Sequence, residues 1–326
     1  MIQPNEMKYG LPMSIPNDVI STNTKVWEIL VASKKGDLET IKRMADECPE
    51  LLYAQYNYTP PIHFAVREGH IDLVKYLLSH GAHDSSYKIY PFGDSLETIA
   101  EERGHHEIVL LLEQYAKDDS IQKYKGDNGG IDFQRTALQR EFEYAVHKEN
   151  VATVEKIVKS HPEFALDETF SWGEGILTIP AQHRNFLLIN LLIRYGAKVP
   201  RILKWAQAYY FKFYESAVFM MENGMYPNTM SWQQVTIVHD MAQKGDLPKT
   251  QLLIKHGAEI DVIDEEYLST PLGMAARWGH YDMVHFLLSQ GADVNRSGAN
   301  WSTPLAWAQK KGHREIEKML LKAGAQ

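Results

Sequence analysis

A short apolar motif recurs along this chain at a nearly constant interval, and this recurrence limits the possible folds more than any other feature. The segment Ser269–Ala276 reads STPLGMAA, Ser302–Ala308 reads STPLAWA, and Pro60–Ala65 reads PPIHFA. A Gly-His pair and then an apolar pattern typical of an amphipathic helix follow each copy. A fixed period of a few tens of residues indicates tandem repeats.

The interval between copies gives the length of one repeating unit. Counted from the residue that ends the first helix of each unit, most intervals are about 33 to 35 residues. The interval after Gly104 is longer, which predicts an insertion over residues 117–136, and the interval after Arg184 is shorter, which predicts a shortened turn. The residues that end the first helices are Gly36, Gly69, Gly104, Glu149, Arg184, Lys212, Gly245, Gly279 and Gly312.

The residues of the motif suit a helix-turn-helix unit. The Thr270 hydroxyl can cap the first helix, and Pro271 suits the first helical position, where its missing N–H costs nothing. Gly279 suits the left-handed conformation that ends this helix. The apolar side chains of the second helix need a neighbouring unit to bury them, so such units are stable only as a stack.

These motifs resemble the ankyrin family, whose units carry a Thr-Pro-Leu-His-x-Ala signature. The resemblance covers nearly all of the chain from Trp27 to Gln326. It implies an all-α ankyrin-repeat solenoid of about nine helix-turn-helix units with short hairpin loops. It also implies that histidines at motif positions, such as His63 and His239, bond the backbone between units. The predicted domains are an N-terminal extension (1–23), repeats 1–3 (24–116), the insertion (117–136) and repeats 4–9 (137–326). The repeats are expected to form one continuous array.

Charge, cysteine content and hydropathy exclude several classes of function. The net charge is −8 and no long basic run is present, so we expect no nucleic-acid partner. Cys48 is the single cysteine, which excludes an internal disulfide and any metal site built on paired thiolates. Residues 1–20 lack a signal-peptide pattern, and no apolar stretch approaches the length of a bilayer span. We therefore expect a cytoplasmic monomer with no membrane partner.

The sequence contains no pattern typical of an enzyme. His105 and His106 lack the i, i+4 spacing that places two metal ligands on one helical face. A Gly-x-Ser-x-Gly elbow, a Walker loop and a dinucleotide fingerprint are all missing from the sequence. We therefore predict no catalytic residue, no metal and no cofactor, but a carboxylate and a histidine could still converge across a groove.

Large aromatic side chains are frequent at positions that the resemblance places on the concave face of the array. Aromatic residues and arginine are enriched at binding hot spots, so we predict a partner-binding surface there. Alternatively, irregular units turn these rings inward to fill gaps left by shortened turns. The predicted binding residues are Tyr56, Arg67, Trp172, Tyr210, Phe211, Trp232, Tyr267, Arg277 and Trp278.

Three hypotheses of function follow. The first is a non-enzymatic scaffold or regulator that binds a protein partner through the concave face of the ankyrin array. The second is a small-molecule binding protein or an unorthodox enzyme, with a pocket between the insertion and the aromatic residues. A closed cavity with convergent polar groups would favour the second hypothesis, and an open aromatic trough the first. The third, structural packing within a larger assembly, predicts exposed apolar repeat ends.

Overall fold

Helices that follow one another in pairs make up most of the molecule. The computed structural model describes residues 1–124, 135–203 and 209–326. The chain divides into two compact units, Gln3–Asp132 and Met1–Ile2 with Phe133–Gln326. The predicted all-α helix-turn-helix architecture is confirmed in each unit. Residues 125–134 of the predicted insertion lie outside the described residues. Within the described part, no helix has the length and apolar character needed to cross a membrane.

The unit Gln3–Asp132 begins with a short β-hairpin, in which Pro12–Ile15 pairs antiparallel with Val19–Thr22. Turns of 3-10 helix lie at Asn5–Met7, Pro16–Asp18 and Pro49–Tyr53. Helix pairs follow, and their bounds are Asn23–Lys35 with Leu38–Glu47, Pro61–Glu68 with Ile71–Ser79, and Leu96–Glu102 with His106–Lys117.

The unit that contains Phe133–Gln326 continues the same pattern. Two-residue strands at Ile202–Leu203 and Met230–Ser231 pair in parallel. Single helical turns lie at Glu163–Leu166, Phe170–Gly173 and Asn300–Ser302. The described helices are Ala137–His147, Val151–Ser160, Thr178–His183, Phe186–Arg194, Tyr214–Glu222, Ile237–Lys244, Leu247–Lys255, Pro271–Trp278, Tyr281–Ser289, Pro304–Lys311 and Arg314–Lys322.

The helix ends form as the motif predicts. The Thr270 hydroxyl accepts a hydrogen bond from the Gly273 N–H at 3.2 Å, and Pro271 begins the helix. Gly279 ends that helix in the left-handed conformation, with φ of 78°. Small residues on the first helix, such as Ala275 and Ala276, are completely buried, which lets neighbouring first helices pack side by side. The predicted apolar positions of the second helices, including Val284 and Leu287, are buried as well.

Four histidines bond the backbone of the preceding repeat, because each ring reaches back to a carbonyl near the end of its first helix. A Cβ built on Gly36, Gly69, Gly245 or Gly279 would lie 2.6–2.7 Å from the ring that packs there. Glycine is therefore needed at these positions for its left-handed φ and for the close approach of the ring. The Nε2 donors and carbonyl acceptors are His70 to Lys34 (2.9 Å), His105 to Arg67 (3.2 Å), His280 to Gln243 (2.7 Å) and His313 to Arg277 (3.2 Å).

We predict that Gly69→Ala destabilises the protein more than Gly104→Ala. Both glycines have positive φ, but a Cβ at Gly69 meets His105, whereas a Cβ at Gly104 has nothing within 4 Å. Gly104→Ala should lower the free energy of unfolding by about 1 kcal/mol from backbone strain alone. Gly69→Ala should lower the free energy of unfolding by about 2 kcal/mol or more, because the His105 ring must also give up its hydrogen bond to the Arg67 carbonyl. Urea denaturation measures both, and equal losses would contradict the proposed role of the ring.

A buried histidine makes the stability depend on pH. His239 is fully buried, its Nε2 donates to the Ser269 carbonyl at 3.2 Å, and its Nδ1 accepts from the Thr236 N–H at 3.2 Å. Burial lowers the pKa of His239 to about 4. The unfolded chain, with an ordinary histidine pKa near 6.5, therefore binds a proton that the folded chain does not. The contribution of His239 to stability is full above about pH 6.5 and is lost as the pH falls towards 4.

We predict that His239→Gln removes this pH dependence. The difference in free energy of unfolding, wild type minus variant, should fall by roughly 2 kcal/mol between about pH 7 and pH 5. The comparison with the variant is needed because burial raises the pKa of Asp240 and Asp264 to about 6. These two carboxyls change the stability in the opposite direction to His239. Their stabilising contribution is lost as the pH rises through 6. A difference that stays constant with pH would contradict the prediction.

Candidate partner-binding surface

Exposed aromatic and basic side chains lie at helix ends and in the connecting turns of consecutive repeats within Phe133–Gln326. The Tyr144 side chain is 65% exposed, and Lys148, one helical turn later, places its Nζ 5.6 Å from the centre of that ring. Trp172 is 58% exposed, and its ring lies 6.0 Å from the imidazole of His147. We call this area the central surface and define it as Tyr144, His147, Lys148, Glu149, Trp172, His183, Arg184, Lys212, Phe213 and Tyr214.

A left-handed turn holds Trp172 towards solvent. Ser171 and Trp172 have φ of 51° and 60°, values that side-chain-bearing residues seldom adopt. The Glu143 carboxylate accepts a hydrogen bond from the Ser171 N–H at 2.9 Å, and the adjacent Phe170 is completely buried. The Arg135 guanidinium lies 4.2 Å from the centre of the Phe170 ring. The strained backbone is thus held on both sides, which is typical of a functional position.

Two charged residues of the central surface occupy the position that glycine holds in other repeats. Glu149 and Arg184 both end a first helix in the left-handed conformation, with φ of 55° and 61°, as their alignment with the glycines predicts. The repeats that follow them begin their second helices after Asn185 and Phe213, not after a histidine. Because no imidazole packs against these positions, a side chain fits there.

These side chains reach the next repeat instead. The Glu149 carboxylate accepts a hydrogen bond from Nδ1 of His183 at 2.7 Å. The Arg184 guanidinium lies 4.4 Å from the centre of the Phe213 ring, and Lys212 lies 5.5 Å from the same centre. Lys212 departs from the predicted pattern, because it is not among the described residues with positive φ.

Two of the predicted binding residues, Trp172 and Trp278, have exposed rings. Trp278 is 40% exposed and lies at the end of the helix Pro271–Trp278. The predicted exposure is wrong for the other seven residues, which are buried as in the alternative of inward-turned rings. These are Tyr56 (1%), Arg67 (0%), Tyr210 (0%), Phe211 (1%), Trp232 (1%), Tyr267 (0%) and Arg277 (5%).

Contacts between neighbouring repeats explain why several of these side chains are buried. The Arg277 guanidinium lies 4.3 Å from the Tyr267 ring centre and 5.3 Å from that of Trp307, which belongs to the next repeat. The Tyr210 hydroxyl donates to the Glu174 carbonyl at 2.7 Å, and Phe211 packs in the hydrophobic core. These rings therefore join repeats.

The remaining three inward-facing residues have similar local partners. The Trp232 carbonyl accepts a hydrogen bond from the Ile2 N–H at 2.8 Å. In the unit Gln3–Asp132, the Tyr56 hydroxyl donates to the Glu6 carboxylate at 2.8 Å. Arg67 pairs with Glu68 at 2.7 Å. Each of these groups is thus held inside its own unit.

Of the residues that define the central surface, Trp172 alone was among the predicted binding residues, so sequence reasoning missed the rest. Tyr144 precedes Lys148 by four residues, a spacing that places both on one helical face and could have identified it. Arg184 stands where most other repeats have glycine, and this departure from the repeat pattern could have identified it as a surface residue. Tyr214 is 46% exposed at the start of a second helix, and no sequence signal distinguishes it from a core aromatic residue.

Clefts elsewhere in the described residues offer little support for a closed catalytic pocket. A cleft of about 460 Å³ is bordered by Lys198, Arg201 and Asn223 over a floor that includes Met220 and Met225. Another, of about 220 Å³, is lined by tyrosines including Tyr53, Tyr58 and Tyr87. Within the described ranges, no three His, Cys, Asp or Glu side chains are grouped to hold a metal ion. The pocket of the second hypothesis would involve residues 125–134, which lie outside those ranges.

Comparison of the sequence with protein families shows which family the chain belongs to. The family described as "Ankyrin repeats (3 copies)" matches residues 29–123, 203–298 and 238–326, which together cover more than half of the chain. The chain belongs to the ankyrin-repeat family. Ankyrin repeats are protein-interaction modules, and this coarse function therefore applies to the chain. Residues 124–202, which carry Tyr144 and Trp172, lie outside the matched ranges, so much of the central surface is where the ankyrin pattern is weakest.

Curated relatives share only segments with this ankyrin-repeat chain. Ankyrin repeat protein nuc-2 of Neurospora crassa is 28% identical over 159 residues, which is 46% of this chain and 12% of the relative. The 2-5A-dependent ribonuclease of Mus musculus is 37% identical over 73 residues, 21% of this chain and 10% of the relative. The mitochondrial glutaminase liver isoform of Rattus norvegicus is 31% identical over 98 residues, 28% of this chain and 15% of the relative. The chain thus spans a small part of each.

We predict that Arg184→Gly makes the ankyrin repeats more stable. Arg184 has φ of 61°, which costs a side-chain-bearing residue about 1–2 kcal/mol, whereas glycine adopts this φ without strain. After the greater backbone entropy of glycine is deducted, the free energy of unfolding should rise by about 0.5 kcal/mol. Chemical denaturation measures the change, and Arg194→Gly in the helix Phe186–Arg194 is the control that should destabilise. A loss of stability in Arg184→Gly would show that the contact with Phe213 outweighs the strain.

Proposed function

We propose that this chain is a non-enzymatic interaction protein whose central surface binds a protein partner. The family resemblance implies that the ends of the first helices lie on the concave face of an ankyrin array, and we propose that the central surface is part of that face. No enzymatic activity is proposed, since the segments shared with the ribonuclease and the glutaminase are small parts of those proteins. We further propose that the protein acts as a monomer in the cytoplasm.

The exposed Trp172 ring carries this proposal. A tryptophan that is 58% exposed and held by two left-handed residues has a large apolar area in a fixed position. Tryptophan and tyrosine dominate binding hot spots because each buries much area at little cost in conformational entropy. Tyr144, on the helix Ala137–His147, adds a second ring that is 65% exposed.

The charged members of the central surface support the same role. Glu149 and Arg184 replace glycine and retain backbone strain, although glycine would fit the fold better. A residue that costs stability and faces solvent is more useful for recognition than for folding. His147 lies beside the Trp172 ring and His183 hydrogen-bonds Glu149, so both add hydrogen-bonding capacity to the surface.

We predict that Trp172→Ala together with Tyr144→Ala abolishes partner capture while the fold stays intact. Both rings are largely exposed, so their loss should change the free energy of unfolding by less than about 1 kcal/mol. Affinity for the partner should fall by about 30-fold or more, as expected for a tryptophan hot spot. Affinity capture from extracts of the source cells, with quantitative mass spectrometry, identifies the partner, and titration calorimetry then gives its Kd.

Two controls separate binding from folding. Tyr281→Ala removes an aromatic ring that is 49% exposed on a second helix, and it should leave capture unchanged. Trp307→Ala removes a completely buried ring and should lower the free energy of unfolding by about 3–5 kcal/mol. If the Trp172 and Tyr144 variant binds its partner as tightly as the wild type, the central surface is not the binding site.

A further inference from the structure

We infer that a cleft lined by tyrosines in the unit Gln3–Asp132 binds a quaternary ammonium group. The central surface belongs to the other unit, so this inference concerns a separate site and goes beyond the proposed function. The cleft has a volume of about 220 Å³. We call it the tyrosine cleft and define it by six of its lining residues, Tyr53, Tyr58, Tyr87, Tyr124, Asp84 and Lys88.

Three parts of this unit contribute the four aromatic rings of the tyrosine cleft. Tyr53 and Tyr58 lie in the connection between the first and second helix pairs, and Tyr87 lies in the connection after the second pair. The Tyr124 N–H donates to the Gly81 carbonyl at 2.9 Å, which fixes the segment after the third pair against that second connection. The centres of the Tyr53 and Tyr124 rings are 5.0 Å apart. Side chains that are distant in sequence thus meet at one cleft.

Hydrogen bonds already occupy the hydroxyls of two of these tyrosines. The Tyr53 hydroxyl donates to the His80 carbonyl at 2.7 Å, and the Tyr87 hydroxyl lies 3.1 Å from Nδ1 of His63. These bonds hold the rings in place, and groups that are preorganised lose less conformational entropy when a ligand binds. Because both hydroxyls are engaged, the aromatic surface is the part of these two side chains that remains for contact with a ligand.

Backbone strain holds Tyr58 at the cleft. Asn57 and Tyr58 have φ of 51° and 60°, and backbone hydrogen bonds between Tyr56 and Thr59 close the turn around them. Turns of this kind favour glycine at the second central position, where a side chain adds strain. Tyr58 is nevertheless 49% exposed, so it does not fill the core in return for that strain. A strained position with an exposed aromatic side chain is typical of a binding site.

The Asp84 carboxylate gives the cleft a partner for a cation. Its Oδ1 atom accepts hydrogen bonds from the N–H and the hydroxyl of Ser86, at 2.8 and 2.7 Å. Within the described residues, no lysine, arginine or histidine forms an ion pair with this carboxylate. Lys88 is the one cation among the described lining residues, and it is exposed, so its ammonium is hydrated. It opposes the binding of a second cation, which the variants below exploit.

These features match a quaternary ammonium group more closely than other ligands. The faces of aromatic rings attract cations, and clusters of such rings recognise quaternary ammonium groups. An unmodified ammonium is strongly hydrated and has three N–H donors to satisfy, whereas a quaternary nitrogen has none. A neutral apolar ligand would cover the half-buried Asp84 carboxylate without neutralising it. A free choline-like molecule and a trimethylated lysine of another protein share the required chemistry.

Titration calorimetry with matched compounds tests the inference. Choline should bind the intact chain at least about fivefold more tightly than 3,3-dimethyl-1-butanol, its neutral isostere in which carbon replaces the nitrogen. The amide of acetylated trimethyl-lysine should likewise bind more tightly than the same compound without the methyl groups. Whichever quaternary compound binds more tightly shows whether the ligand is a small molecule or a side chain. Equal affinity for choline and its isostere would overturn the inference, because a merely apolar cleft does not distinguish them.

Single substitutions test whether the tyrosine cleft is the site. Tyr58→Gly should weaken choline binding by about fivefold or more without lowering the Tm, because glycine suits the left-handed turn. Asp84→Asn removes the carboxylate and should weaken binding about threefold, whereas Lys88→Gln removes a like charge and should tighten it about twofold. Tyr9→Ala removes a tyrosine that is 69% exposed and does not line the cleft, and this control should leave the Kd unchanged.

The remaining outcomes are equally decisive. Choline binding that Tyr58→Gly and Asp84→Asn leave unchanged would place the site elsewhere, and failure of both quaternary compounds to bind would remove it. Circular dichroism melts confirm that each variant folds, so a weaker affinity is not a loss of structure. The variant with Trp172→Ala and Tyr144→Ala should bind choline as the wild type does, so failure of the proposed partner-binding surface would not affect this test.

Discussion

The left-handed residue that ends most of the described first helices is the constraint on which the rest of this structure depends. At Gly36, Gly69, Gly245 and Gly279 it turns the chain into the second helix and also leaves space for the imidazole of the next repeat. That imidazole bonds a carbonyl near the end of the preceding first helix. The same contact thus ends a helix, satisfies a backbone acceptor and fixes the distance between two repeats.

The central repeats retain the left-handed turn but not the histidine, and this difference permits a surface to form. Glu149 and Arg184 accept the backbone strain, and their side chains contact His183 and Phe213 of the next repeat. Where other repeats have a hydrogen bond from the histidine, these repeats have the charged side chains of Glu149 and Arg184 and the ring of Phe213. Folding and the proposed recognition therefore use the same position in different repeats.

Local chemistry allowed much of the fold to be predicted from the sequence. The cap at Thr270, the left-handed Gly279 and the buried Val284 each follow from residues a few positions apart. The burial of Arg277 was missed because Trp307, one repeat later, completes its enclosure, and a repeat pattern does not reveal which rings meet. Trp172 is exposed, and the left-handed turn that holds it depends on a hydrogen bond to Glu143, which lies in the preceding helix and could not be read from the motif.

The missing histidine also affects how the protein deforms. Within Phe133–Gln326, the repeats that meet at Glu149 and Arg184 lack the hydrogen bond that joins the repeats at Gly245 and Gly279. The contacts of Glu149 with His183 and of Arg184 with Phe213 join these repeats instead, and they lie partly in solvent. Because water competes with exposed contacts, these boundaries should open before the others under a pulling force. The surface proposed to bind a partner is then also the part of this unit that deforms most easily, which suits partners of slightly different width.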